Sequence, residues 1–125
     1  REITESLSVG NSRNLARYFN SNIELVVLTN EDVYSKSQAE LIMKNFFSAN
    51  KPVKFEILQQ VGKESSHYAI GTLGTNNGDF RIYFLLKIKD GVYLIHQLRI
   101  EKNNETSLDE FIRSLENRVS REASG

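Results

Sequence analysis

Between Val53 and Glu101 the chain keeps a two-residue rhythm, and that stretch constrains the fold more than any other feature. Val53, Phe55, Ile57, Gln59 and Val61 alternate with Lys54, Glu56, Leu58 and Gln60, the period of a strand with two different faces. Turn formers at 62–65, 76–79 and 89–91 set this run off from 67–75, 80–88 and 92–101. Strands joined by so few residues cannot make the long crossover that parallel pairing needs, so they form an antiparallel meander.

The last hairpin has two candidate registers. A two-residue Asp90-Gly91 loop pairs Lys89 with Val92 and sets Ile82 opposite Arg99. A three-residue loop with Gly91 left-handed pairs Ile88 with Val92 instead. The second sorts side chains better. Phe80, Ile82, Phe84, Leu86 and Ile88 then share a core face with Val92, Leu94, His96, Leu98 and Ile100. Arg81, Tyr83, Leu85, Lys87, Tyr93, Ile95, Gln97 and Arg99 collect on a mixed face. Preferring that register places His96 among apolar neighbours opposite Phe84.

Upstream the spacing is helical, which makes the class α+β. Residues 3–19 read as a helix in two pieces, broken at Gly10 and restarted from an N-cap at Ser12. A strand over 23–28, a polar turn at Asn30-Glu31-Asp32 and a short strand over 33–35 follow. Residues 37–50 form the clearest helix, with Ser37 and Glu40 as a capping box and Leu41, Ile42, Phe46 and Ala49 as its stripe, widened by Met43 and Phe47. Pro52 ends it. Beyond 102, Ser107 and Glu110 form another capping box, and Leu108, Phe111, Ile112, Leu115 and Val119 line one side of a helix over 107–121. Residues 1–102 therefore read as one domain and 103–125 as an extension of it.

Composition removes several function classes. Sixteen Lys and Arg balance sixteen Asp and Glu across 125 residues, which lacks the basic excess of a general nucleic-acid binder or a polybasic membrane module. No apolar run is long enough to span a bilayer. With no cysteine and two histidines outside any ligand spacing, neither a metal nor a cofactor is expected. Gly71-Thr72-Leu73-Gly74 and Asn76-Asn77-Gly78 lack the following helix of a phosphate loop, so those glycines mark bending or close backbone approach.

Several blocks carry a family resemblance. They are Gly10-Asn11 with residues 15–20, Asp32-Val33-Tyr34-Ser35-Lys36 with Gln38-Ala39-Glu40, then 68–73, 80–87, 93–95 and 97–101. Over residues 3–101 the chain resembles the nuclear-transport-factor-2-like superfamily, and within it the bacterial domain-of-unknown-function family numbered 4783. The resemblance implies a cystatin-like cone, a curved antiparallel sheet wrapped around N-terminal helices. It also implies an exported protein, periplasmic or secreted, with no assigned activity.

The expected function is non-catalytic binding of a small apolar or amphipathic ligand, or of a protein partner. Pocket candidates are His96, Phe84, Tyr18, Tyr34 and Tyr68. The alternative is a small isomerase- or hydrolase-like enzyme using a buried carboxylate, among Glu24, Glu31 and Asp32, with His96 or a tyrosine. Tyr83, Leu85, Tyr93, Ile95, Gln97, Arg81 and Arg99 form an expected homodimer interface, with the C-terminal helix as the competing cover.

Overall fold

A computed structural model describes residues 2–102, 112–113 and 116–117. Three helices come early: α1 (Glu2–Val9), α2 (Ser12–Ala16) and α3 (Lys36–Ala49). The strands are β1 (Phe19–Val27), β2 (Asn30–Ser35), β3 (Pro52–Lys63), β4 (Ser66–Thr75), β5 (Gly78–Lys89) and β6 (Val92–Lys102). They make one six-stranded sheet in the order β2-β1-β6-β5-β4-β3. The meander occupies β3 to β6, and β6 closes the sheet by pairing parallel to β1. The helix expected over 107–121 lies outside the described residues except at four positions.

The helices pack on one face, here the inner face. Ile3, Leu7, Leu15, Ala39, Met43 and Phe46 share a buried cluster with Phe80, Ile82, Phe84, Leu98 and Ile100. A second, smaller cluster of Tyr68, Ile70, Tyr83 and Leu85 lies on the outer face.

Local chemistry sets the helix ends. Gly10 has φ +72, the Gly10 N–H bonds the Leu7 carbonyl at 3.3 Å and the Asn11 N–H bonds the Ser6 carbonyl at 2.9 Å. That is the Schellman pattern, in which a left-handed glycine satisfies the last carbonyls. Asn11, not Ser12, caps α2, its side chain accepting from the Asn14 N–H at 3.0 Å. The helix stops at Ala16, and Phe19 already belongs to β1.

Ser35 and Gln38 form the capping box of α3, two residues ahead of the expected Ser37 and Glu40. Ser35 is extended because it ends β2, which is the backbone state a cap requires. Ala39, Met43, Phe46 and Phe47 are the buried residues of the helix and Ile42 packs half-buried beside them, while Leu41 faces solvent. Asn77 secures the far end: its Nδ2 donates to the Ala49 carbonyl at 2.6 Å and to Asn50 Oδ1 at 3.2 Å. Asn76-Asn77 thus ties a strand turn to the end of a helix.

Asn30, Glu31 and Asp32 are strand rather than turn, paired with Val27, Val26 and Leu25. The chain reverses at Leu28-Thr29, where Leu28 has φ +60. Its N–H donates to the Ile100 carbonyl at 2.8 Å, extending the β1–β6 ladder into the turn.

The final hairpin uses the two-residue Asp90-Gly91 loop, with Lys89 opposite Val92 and both loop residues at positive φ. The three-residue loop is therefore overturned. Face sorting is rescued by a bulge: Leu86 pairs with Ile95, Leu85 pairs with Gln97, and His96 is the extra residue. Beyond it Phe84 lies opposite Leu98 and Ile82 opposite Ile100. A bulge adds one residue to one strand and bends it, so it corrects the parity and curves the sheet together.

Candidate functional site

A half-open cavity of about 230 Å³ lies between α1 and the inner faces of β3 to β6. Ile3, Ile57, Ala69, Phe84 and Leu86 supply apolar lining, and Thr4, Gln60, His67 and Tyr93 supply polar groups. Helix α1 reaches over the sheet because Gly10 lets its end approach Pro52; a Cβ at Gly10 would stand 2.8 Å from Pro52 Cδ.

Two of these polar groups are paired. Tyr93 Oη and His67 Nε2 are 3.3 Å apart, and the rings meet edge to face with centroids at 5.4 Å. His67 sits opposite Gly62, where a Cβ would come within 2.5 Å of Nδ1, so the imidazole lies in the space a side chain would fill. Tyr93 lies opposite Ile88, on the turn side of the bulge, where β6 presents Tyr93 and Ile95 inward. A hydroxyl and an imidazole can each donate or accept, so the pair can orient a ligand's polar group of either kind.

Of the expected pocket residues, Phe84 and Tyr68 line the cavity. The Tyr68 ring belongs to the outer cluster, stacked on Tyr83 at 5.8 Å. His96 is half-buried, belongs to neither apolar cluster and does not line the cavity, because the bulge takes it out of the alternation. Its place opposite Phe84 goes to Leu98. Tyr34 packs half-buried at the core's edge on β2.

Tyr18 sits before β1, where its hydroxyl donates to Glu2 Oε1. This hydrogen bond, then burial and the Glu2 charge, raises the phenol above its ordinary 10.0. The contact therefore favours the fold while the phenol is protonated, below about pH 10, and fades as pH climbs through the raised value. In Glu2→Gln the Tyr18 titration followed by ultraviolet absorbance should fall back toward 10.0. An unchanged midpoint would contradict the contact.

Glu24, Glu31 and Asp32 lie on β1 and β2, away from the cavity, and Glu31 and Asp32 are exposed. None of the cavity's lining residues is a carboxylate. Among the described residues no group of His, Cys, Asp or Glu could hold a metal ion, and no helix is long and apolar enough to cross a membrane.

The expected interface divides. Ile95 is in the main core and Tyr93 lines the cavity, since the bulge turns both inward. Tyr83, Leu85 and Gln97 are buried within a single chain, so among the described residues they form no exposed apolar patch. Arg81 faces Glu101 and Arg99 faces Tyr83, rather than the arginines facing each other. Arg99 Nη1 reaches Glu101 Oε2 at 3.2 Å, and its guanidinium lies 5.7 Å from the Tyr83 ring centre. Sequence reasoning missed His67, whose signal is Gly62 directly across a tight hairpin.

Comparison with known proteins agrees with this architecture. No functionally curated protein matches. A DUF4783 family protein from Bacteroides ovatus is 36% identical, covering 83% of this chain and 94% of its own, with TM-score 0.79. One from Bacteroides fragilis is 35% identical over 82% and 96%, with TM-score 0.77. An NTF2-like protein of unknown function from Cytophaga hutchinsonii shares the fold at 13% identity, over 79% and 81%, with TM-score 0.57. The profile for DUF4783, a domain of unknown function, matches residues 1–101, and with the Bacteroides relatives this makes the chain a member of that family, built on an NTF2-like fold.

Proposed function

We propose that the domain binds a small, largely apolar ligand with one polar end in this cavity and performs no chemistry on it. The observation that carries the reading is the lining itself: Ile3, Ile57, Ala69, Phe84 and Leu86 as apolar wall, with Thr4, Gln60 and the paired His67 and Tyr93 as its few polar groups. Ligand sites commonly combine an apolar wall with a few converging polar groups. At about 230 Å³ the cavity is smaller than the roughly 300–1,000 Å³ of drug-sized sites, which favours a ligand the size of a short aliphatic or single-ring compound. General acid–base catalysis by a carboxylate has no carboxylate in this lining, which sets the pocket-enzyme reading behind binding. The exported setting implied by the family resemblance belongs to the same proposal.

The test is a methyl NMR screen of short aliphatic and single-ring acids and alcohols, repeated on Ala69→Leu, which fills the cavity. A binder should shift Ile57 and Leu86, and the variant should weaken it by about tenfold or more, which corresponds to about 1.4 kcal/mol. Binding that is unaffected by Ala69→Leu, or shifts confined to the outer face, would contradict the proposal.

A further inference from the structure

The cavity can answer one sign of charge and not the other. Thr4, Gln60 and Tyr93 line it with groups that are neutral near neutral pH. Among the described lining residues only His67 has a side chain able to become a cation, and none has one that becomes an anion near neutral pH. The glutamates of α1 do not reverse this balance. Glu2 and Glu5 line a separate groove with Asn14 and Arg17, and Glu2 accepts the Tyr18 hydroxyl. Two backbone features assemble the polar pair: Gly62 makes room for the imidazole, and the bulge at His96 turns Tyr93 inward. They bring Nε2 and Oη to 3.3 Å. Tyr93 is 41% exposed, so a head group at the pair keeps part of its hydration, which lowers the cost of placing a charge there.

We propose that the ligand's polar end is a carboxylate held between His67 and Tyr93, so that the site selects short carboxylic acids over alcohols and amines of the same chain; this rests on the cavity being a binding site. An ionised carboxylate only accepts hydrogen bonds, and it has two oxygens to offer two neighbouring donors. On binding, the contact between Tyr93 and His67 is exchanged for one bond from each: the Tyr93 hydroxyl donates to one oxygen and the His67 Nε2–H to the other. With the imidazole protonated, the second bond joins opposite charges and is roughly twice as strong as a neutral one. An ammonium head fares differently. It only donates, it finds no anion in the described lining, and it repels a protonated His67. An alcohol makes neutral bonds to the same pair and gains nothing from the charge. Ile57, Ala69 and Leu86 then take the chain.

Hexanoate, hexanol and hexylamine share one chain and differ in the head, so methyl NMR titrations of the full chain with each at neutral pH test the assignment. Hexanoate should bind about tenfold or more tighter than either of the others. His67→Gln keeps a donor but loses the charge, and should weaken hexanoate by about tenfold while hexanol changes little. Tyr93→Phe removes the hydroxyl alone and should weaken hexanoate by about threefold or more. The methyls of Ile82 and Leu98 report whether each variant keeps its core. Should His67→Gln disturb them, Tyr93→Phe and the ranking of the three heads decide. Hexanol or hexylamine binding as tightly as hexanoate would overturn the inference while leaving the cavity a binding site, as would equal losses of hexanoate and hexanol in His67→Gln. Failure of all three to shift Ile57 and Leu86 would overturn both.

Discussion

Replacing Phe46 with alanine should lower the unfolding free energy by about 3–5 kcal/mol. Phe46 is 6% exposed on the inner side of α3. Its ring meets Phe80 edge to face at 5.1 Å and Phe47 at 5.9 Å. Truncation loses the transfer energy of a benzyl group and leaves a space that α3 cannot close, because Ser35 and Asn77 hold its two ends. Domains of this size are stable by about 5–15 kcal/mol, so the loss is a large fraction of the total. Urea unfolding measures it, with Leu41→Ala as the reference, since Leu41 is 57% exposed and its loss should stay within about 0.5 kcal/mol. A loss at Phe46 below about 1 kcal/mol would place α3 elsewhere.

Gly71→Ala carries the second large effect, about 1–3 kcal/mol of destabilisation. A Cβ there would stand 2.5 Å from Phe55 Cζ and 2.6 Å from the Glu56 carbonyl oxygen. The ring can swing aside, but the carbonyl belongs to the paired strand, so β3 must shift against β4. Phe55→Ala should therefore rescue the variant only in part. Gly74 supplies the contrast: its nearest neighbours are at 3.5 Å, and Gly74→Ala should be close to neutral. Equal effects at both glycines in thermal unfolding would contradict the close approach at Gly71.

These residues show what was legible in the sequence. The meander, its turns and the use of strand glycine for close approach follow from local pattern, and the helical stretches follow from spacing. Register did not follow, because alternation and turn type disagree by one residue in the final hairpin. Alternation alone places the conflict in the loop at Asp90-Gly91, whereas the chain absorbs it at His96. That single displacement moved His96 off the core face and brought Tyr93 and Ile95 inward. A bulge has no composition signal, since any residue can be the extra one. Ser35 was missed as a cap for a related reason: both Ser35 and Ser37 precede a polar residue at the capping-box spacing, and the end of β2 decided between them.

On the proposed reading the cavity beside α1 is the binding site, with His67 as its polar handle. The chain has two histidines, and they sit in different places, one lining the cavity and one in the bulge of β6. Proton NMR of the imidazole Hε1 signals during ligand titration reads both at once. The account predicts that the His67 signal moves with the ligand's saturation while His96 stays still. Movement of His96 with a silent His67 would contradict it.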